Sequence, residues 1–277
     1  MDSGAFLSKT LDLADLRHPR IAPVFSHLGR FALRLGLGAW PFLLRHSFRG
    51  LPFAVNGVLR RRFRVRPHKM WEYARGVSCV LGASPFQPRE DLPSLRVLDF
   101  GGGATLPVFF LAHAGCKVIC LDIDARLTEW TNHVAQNHGW ELLGSTYDLT
   151  QGDMDPQDFG GAWGAFDAVI SCSVLEHLPK PVQQLTVERL ARLLKPGGVL
   201  ALTFDYGENA PVAGAVRGEQ EVQRLKAATG LQFLEGDAFH DTGQRFVLDN
   251  RHRHSLFTFA SLFLQSPWTT GRLRSSS

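Results

Sequence analysis

The chain has 277 residues, of which 44% are hydrophobic and 20% charged, and this composition is typical of a soluble globular protein. That length is sufficient for one full hydrophobic core with an appendage. The net charge of +4 is unevenly distributed, because residues 1–75 carry 14 Lys or Arg against 4 Asp or Glu. The basic charge is therefore a property of the N-terminal part, and the remainder of the chain is acidic.

Targeting and metal-binding signals are absent from the sequence pattern. No basic segment leads into an apolar run at the N-terminus, and the apolar stretch near residues 31–48 is interrupted by Arg34, Pro41 and Arg45. The four cysteines show no CxxC spacing, which argues against a zinc site and favours reduced thiols. We therefore expect a cytoplasmic protein without a bound metal.

Residues 1–93 are predicted to form a basic helical cap or lid segment. Aromatic and aliphatic residues alternate with Arg in its first two thirds, and residues 60–66 are dense in positive charge. Three interpretations stay open for residues 20–67: a solvated basic face, a peripheral contact with an anionic membrane surface, and nucleic-acid binding. Nucleic acid is the least favoured of the three, because no recognisable binding module accompanies the charge.

An amphipathic helix is predicted over 69–81, with Pro67 as its start signal. Tyr73 lies on its apolar face, where it either packs in the core or contacts a ligand beneath a lid. Three prolines between residues 85 and 93 then mark an extended linker. We place the domain boundary there, with a second domain over 94–268 and a disordered tail over 269–277.

Strand and helix patterns alternate from Arg96 onward, which predicts an α/β fold with a parallel sheet covered on both faces. The strands are expected at 96–100, 117–121, 145–149, 166–171, 199–204, 231–234 and 256–264. The helices are expected at 106–114, 125–138, 182–194 and 219–229.

A glycine-rich turn follows the first of these strands, in the order Asp99-x-Gly101-x-Gly103-x-Thr105. Glycine reaches backbone angles closed to other residues and lets a ligand approach the main chain. A dinucleotide site for NAD or FAD is the rival interpretation, but its fingerprint needs a glycine where Leu106 stands. The turn therefore favours a different small-molecule ligand.

Acidic residues follow the next two strands. Asp122 ends the second strand, where a carboxylate can accept both ribose hydroxyls of an adenosine, and Asp124 is assigned to capping the helix that follows. Asp153 and Met154 follow the third strand, so Asp153 is expected to accept the adenine amino proton while Met154 packs on the ring. An ordinary turn is the alternative for this pair.

Five segments, VLDFGGG, LDID, QGDM, FDAVISCSVLEHL and LLKPGGVL, occur in this order between residues 97 and 200. Together they resemble the motifs of class I S-adenosylmethionine (SAM) dependent methyltransferases of the small-molecule type. The resemblance implies a Rossmann-like sheet of seven strands with the final strand antiparallel, SAM as methyl donor and S-adenosylhomocysteine (SAH) as product. It also assigns Asp99, Gly101 and Gly103 to the methionine end of the cofactor.

The resemblance leaves the acceptor and the oligomeric state undefined. A small-molecule or lipid-like acceptor methylated on oxygen is expected, with His177 as the candidate general base. The alternative is that Glu176 and His177 only brace their loop. Ser171 is expected to line the cofactor site through its backbone. A non-catalytic SAM-binding partner or scaffold subunit is the second function carried forward.

Overall fold

The structure is a computed structural model that describes residues 4–38, 67–82, 95–247 and 254–268. Its strands are β1 (Leu7–Thr10), β2 (Arg96–Phe100), β3 (Lys117–Asp122), β4 (Leu142–Thr146), β5 (Phe166–Cys172), β6 (Leu194–Tyr206), β7 (Gln232–Phe233), β8 (Glu235–His240) and β9 (Thr258–Gln265). Its α-helices are α1 (Ala22–Gly38), α2 (Pro67–Leu81), α3 (Leu106–His113), α4 (Ala125–His138), α5 (Lys180–Arg192) and α6 (Glu219–Thr229).

All of these strands join one sheet in the order β4-β3-β2-β5-β6-β9-β1-β8, and β7 also pairs with β9. The five strands from β4 to β6 are parallel, and β9 runs antiparallel to β6. The predicted Rossmann-like α/β class and the antiparallel last strand are confirmed. The predicted number of seven strands is wrong, because the described residues form nine.

The extra strands come from two places that carry no strong pattern. β1 lies in the segment predicted to be helical, and it inserts between β9 and β8. Its inward side chains are the hydroxyls of Ser8 and Thr10, and Ser8 Oγ accepts the backbone N–H of Phe263 at 2.9 Å. A strand whose buried positions are polar lacks the alternation that predicts strands. β8 falls between the last two predicted strands, 231–234 and 256–264, where a connection without a strand was expected.

The N-terminal part is anchored to the sheet by a buried guanidinium. Arg75 of α2 is fully buried, pairs with Asp15 at 2.8 Å and also donates to the carbonyl of Leu7 and to Ser261 Oγ. Trp71 Nε1 donates to the same Asp15 carboxylate at 2.9 Å. Residues 7–17 are therefore fastened to both α2 and β9, although the sequence places the domain boundary after residue 93.

The helices cover both faces of the sheet, as predicted. Side chains of α1 to α4 pack in one apolar cluster and those of α5 and α6 in another. α2 is buried on nearly all sides, and the Cα of Gly76 lies so close to β5 that an added Cβ would be 3.2 Å from Ile170. α2 therefore packs on the sheet as a core helix, because a side chain at residue 76 would hold it away.

The predicted bounds of several elements differ from those observed. α4 and α6 begin and end as predicted, and Gly139 and Gly230 end them in the left-handed conformation. β4 starts three residues earlier than predicted, because it is an edge strand whose Gly144 backbone pairs with the Asn132 side chain instead of a further strand. The basic run at 60–66, the proline linker and the tail at 269–277 lie outside the described residues.

Candidate functional site

The turn between β2 and α3 is a glycine bend at the carboxyl ends of the parallel strands. Gly101 adopts a φ of +74°, and a Cβ there would lie 2.6 Å from Val174 Cγ2. A Cβ on Gly103 would lie 2.7 Å from Asp122 Oδ2. Side chains at these two positions would open the bend, so the close approach of β2 to its neighbours depends on glycine.

Asp99 lies beneath this bend. It is only 1% exposed, and its Oδ1 occupies the space that a Cβ of Gly102 would need. Burial raises the pKa of the Asp99 carboxyl to about 7, and the nearby Asp122 carboxylate acts in the same direction. Asp99 therefore supports the backbone of the bend from below, and its predicted contact with the cofactor stays a prediction.

Asp122 stands at the end of β3, beside the same bend. Its Oδ2 accepts the backbone N–H of Gly103 at 3.0 Å and its Oδ1 accepts that of Asp124 at 2.9 Å. Each carboxylate oxygen has a further lone pair, and the side chain is half-buried, so it can still accept ligand hydroxyls. Asp124 caps α4 by accepting the N–H of Arg126, as predicted.

Ile123 was not singled out from the sequence. Its side chain is 74% exposed directly after Asp122, although isoleucine is usually buried. A large apolar side chain that remains open beside a hydrogen-bonding carboxylate is suited to the flat face of a ligand ring. Its position immediately after the strand-ending carboxylate was the available signal.

The loop after β4 carries the predicted adenine contacts. Asp153 is exposed and Met154 is half-buried against the apolar cluster that contains Tyr147. Arg189 of α5 donates to the carbonyls of Leu149, at 2.6 Å, and of Gly152. The guanidinium therefore holds this loop at the carboxyl edge of the sheet, where the two predicted residues lie.

Ser171 lies near the end of β5, and Tyr73 lies in α2. The Ser171 hydroxyl is buried and donates to the carbonyl of Phe100 at 2.9 Å, which ties β5 to β2 just before the bend. Tyr73 is half-buried, and burial raises the pKa of its phenol to about 12. Its hydroxyl therefore stays protonated at neutral pH.

The structure separates the two members of the Glu-His pair. His177 is exposed at the end of a short 3₁₀ helix, whereas Glu176 is 2% exposed and its Oε2 has no hydrogen-bond partner within the described part of the chain. Burial raises the pKa of the Glu176 carboxyl to about 8, and Asp205 reinforces this shift. The catalytic role assigned to His177 stays a prediction.

A polar cluster joins α2 to the ends of β5 and β6, and sequence reasoning missed it. The Glu72 carboxylate is completely buried and accepts from Ser173 Oγ at 2.6 Å and from Thr203 Oγ1 at 2.8 Å. Lys69 Nζ lies 2.8 Å from Glu72 Oε2 and donates to Ser173 Oγ at 2.5 Å. The only sequence signal was the i, i+3 spacing of Lys69 and Glu72 within an apolar helix.

Over residues 4–38, 67–82, 95–247 and 254–268, no group of three or more His, Cys, Asp or Glu side chains has the geometry to hold a metal ion. Within those same ranges, no helix is both long and apolar enough to cross a bilayer.

Comparison with known proteins identifies the central part of the chain. Residues 98–202 match a family model described as a methyltransferase domain. The ubiquinone biosynthesis O-methyltransferase of Xanthomonas oryzae pv. oryzae is 36% identical over 138 residues, and that of Xanthomonas campestris pv. campestris is 34% identical. The central part of this chain, residues 98–202, is therefore similar to class I SAM-dependent methyltransferases.

The resemblance of this methyltransferase domain to its relatives is partial. The matched segment is 50% of this chain and 54% of the Xanthomonas oryzae protein, so the chain spans about half the length of the curated relatives it matches. Residues 98–202, which match the family model, contain the glycine bend and the ends of β2 to β5.

Solved structures share the fold at low sequence identity. The [4+2]-cyclase SpnF has a TM-score of 0.52 at 18% identity, over 72% of this chain and 83% of that one. A 1,6-didemethyltoxoflavin-N1-methyltransferase from Burkholderia thailandensis has a TM-score of 0.51 at 16% identity, over 83% of this chain and 90% of its own. One neighbour is named as a cyclase and the other as a methyltransferase, so the methyltransferase fold alone does not define the reaction.

Proposed function

We propose that the chain is an enzyme that binds SAM and transfers its methyl group to an oxygen of a small molecule. The observation that carries this proposal is the convergence of Asp99, the glycine bend and Asp122 at one edge of the sheet. In open parallel sheets, ligands bind in the crevice outside the carboxyl ends of the strands. The curated relatives named as O-methyltransferases support oxygen as the methylated atom.

The donors and acceptors at the bend fit the cofactor. The free lone pairs of Asp122 suit the two ribose hydroxyls, and the open face of Ile123 suits one side of the adenine ring. Asp153 and Met154 lie on the neighbouring loop and complete the expected adenine contacts. SAM supplies a methyl group that is already activated, so the chain itself mainly has to bind, orient and exclude water.

Calorimetry with SAH, SAM and NAD tests the cofactor. We expect Asp122→Ala to weaken SAH binding by roughly 10-fold or more, because hydrogen bonds to a charged group are lost. Asp124→Ala is the matched control: it removes the cap of α4 and the exposed ion pair with Arg126, lowers helix stability by about 1 kcal/mol and leaves SAH affinity unchanged. Binding of NAD without SAH, or equal SAH affinity in both variants, would contradict the proposal.

Methyl transfer is tested separately with labelled SAM and pools of hydroxylated metabolites, including lipid-like ones. In the same assay, a loss of kcat in His177→Ala with unchanged SAH affinity would support His177 as the general base. Tight SAH binding without turnover in any pool would favour a SAM-binding scaffold subunit instead.

A further inference from the structure

Among the described residues, the Lys69 ammonium has polar partners on one side only. A lysine ammonium has three N–H donors. Among the residues described, its ion-pair partner is Glu72 Oε2 and its hydrogen-bond acceptor is Ser173 Oγ, so at least one donor remains for another oxygen. The ion pair and the hydroxyl fix the direction of this ammonium, which is unusual for a residue with so much rotamer freedom.

Access to this ammonium is also one-sided. The Glu72 side chain is 0% exposed behind it, whereas the Lys69 side chain is 28% exposed. The rings of Tyr73 and Phe259 lie 5.5 and 5.3 Å from Nζ, within the range of cation–π contacts. Nζ therefore remains partly accessible beside these two rings, and a ligand oxygen can approach it there.

This open side adjoins the glycine bend. Ser173, which accepts from Lys69, directly precedes Val174, the side chain that packs on Gly101. Ser173 adopts a φ of +56°, a left-handed conformation that serine rarely takes. This conformation is retained because it places the hydroxyl between Lys69 and the Glu72 carboxylate, next to the bend.

The charge of Lys69 is not explained by helix stability. It lies in the first turn of α2, where the helix dipole disfavours a cation. Glu72 offsets this cost, but burying an ion pair contributes little net stability. The titratable groups around the cluster come from α2, from β5 with the turn after it and from β6: Glu72, Tyr73, Cys172, Glu176 and Asp205.

We propose that Lys69 binds the methyl acceptor through an anionic oxygen, which assigns the acceptor to compounds with an acidic hydroxyl such as phenols and enols. This inference rests on the proposed methyl transfer. The hydroxyl releases its proton, which the candidate base His177 accepts and passes to solvent, and Lys69 stabilises the resulting oxyanion. The oxyanion then forms the new O–C bond while the S–C bond breaks with its electron pair left on sulfur, so an anion and a sulfonium become two neutral products.

The variants are chosen so that no buried charge is left without an opposite charge beside it. Lys69→Met alone would leave the Glu72 carboxylate buried without its partner, which destabilises proteins strongly. The comparison is therefore Glu72→Gln, which keeps the lysine, against the double variant Lys69→Met/Glu72→Gln. A matched control removes the pair Lys195–Asp167, 2.7 Å apart at the opposite end of β5 and β6, as Lys195→Met/Asp167→Asn.

The probe is 4-nitrophenol, whose neutral and ionised forms differ in absorbance, added to the full chain saturated with SAH. We expect Glu72→Gln and the control to bind the phenolate in preference to 4-nitroanisole and to lower the pKa of the bound phenol. The double variant should bind the phenolate roughly 10- to 100-fold more weakly, while its affinity for 4-nitroanisole is unchanged. Rescue of phenolate binding by Lys69→Arg would show that the positive charge is the relevant property.

Two outcomes would overturn the assignment of Lys69. One is equal phenolate affinity in the single and double variants, and the other is no binding of the phenolate by SAH-loaded wild type. Failure of the proposed function has a different signature, because the wild-type chain would then not bind SAH in calorimetry. A purely structural role of Lys69 would lower the melting temperature of the double variant without changing its preference between phenolate and anisole.

Discussion

Replacing Asp99 by Asn should stabilise the chain relative to wild type, and this gain should be larger at alkaline pH than at acidic pH. The Asp99 carboxyl is enclosed beneath the glycine bend, where burial raises its pKa from 3.8 to about 7. Ionisation at that site is therefore disfavoured in the folded chain and unhindered in the unfolded chain. Asn has nearly the shape of the protonated acid and carries no charge at any pH.

The sign and size follow from proton linkage. Between pH 4 and pH 7 the folded wild type binds more protons at Asp99 than the unfolded chain does, so the free energy of unfolding falls as the pH rises. Each unit of pKa difference corresponds to about 1.4 kcal/mol. From pH 5 to pH 8 the wild type should therefore lose about 3 kcal/mol that Asp99→Asn retains.

Urea unfolding of both proteins at pH 5 and pH 8 measures this difference. Burial also raises the pKa of the Glu176 carboxyl, to about 8, but that contribution is present in both proteins and cancels. Parallel dependence of the unfolding free energy on pH in the two proteins would refute a carboxyl buried beneath the bend. Cys120 Sγ lies 3.7 Å from Asp99 Oδ1, and Cys120→Ala serves as a control that keeps the carboxyl.

Other predictions concern the bend, the N-terminal anchor and the basic segment. Gly103→Ala should weaken SAH binding by roughly 10-fold or more, because the added Cβ would lie 2.7 Å from the Asp122 carboxylate. Gly29→Ala is the control: its Cβ meets open space in α1, so it should be neutral or stabilising in thermal unfolding. Arg75→Met should lower the free energy of unfolding by about 1 to 3 kcal/mol, because it removes the buried ion pair with Asp15 and the hydrogen bonds to Leu7 and Ser261, and urea titration checks this. Replacing Arg60–Arg62 by Gln should reduce retention on anionic vesicles in a salt-dependent manner, and equal retention in flotation assays would discard the membrane contact.

Much of the domain core could be predicted from local patterns. The alternation of apolar runs with amphipathic helices gives the α/β class, and the glycines at 139 and 230 mark the ends of α4 and α6 because they adopt the left-handed conformation there. The glycine bend and Asp122 could be placed together because the carboxyl ends of parallel strands meet at one edge. These features are encoded by residues close to one another in sequence.

The edge of the sheet and the polar interior were not predictable in this way. β1 pairs with strands more than 220 residues away, and its buried hydroxyls give no apolar pattern. The sequence makes His177 the candidate base and leaves open whether Glu176 and His177 only brace their loop, and it does not show that the turn of a 3₁₀ helix buries the glutamate and exposes the histidine. The direction in which a side chain points relative to the core depends on packing, and the spacing of residues in the sequence does not specify it.

The sequence by itself determined the class of fold, the glycine bend and the strand-ending carboxylate, because each depends on backbone angles or on strand polarity that short segments impose. Only the tertiary structure decided that Asp99 lies beneath the bend, that α2 is a core helix and that Lys69 reaches Ser173. Those relations join segments as far apart as 104 residues, and they exist only once the chain has closed around its core.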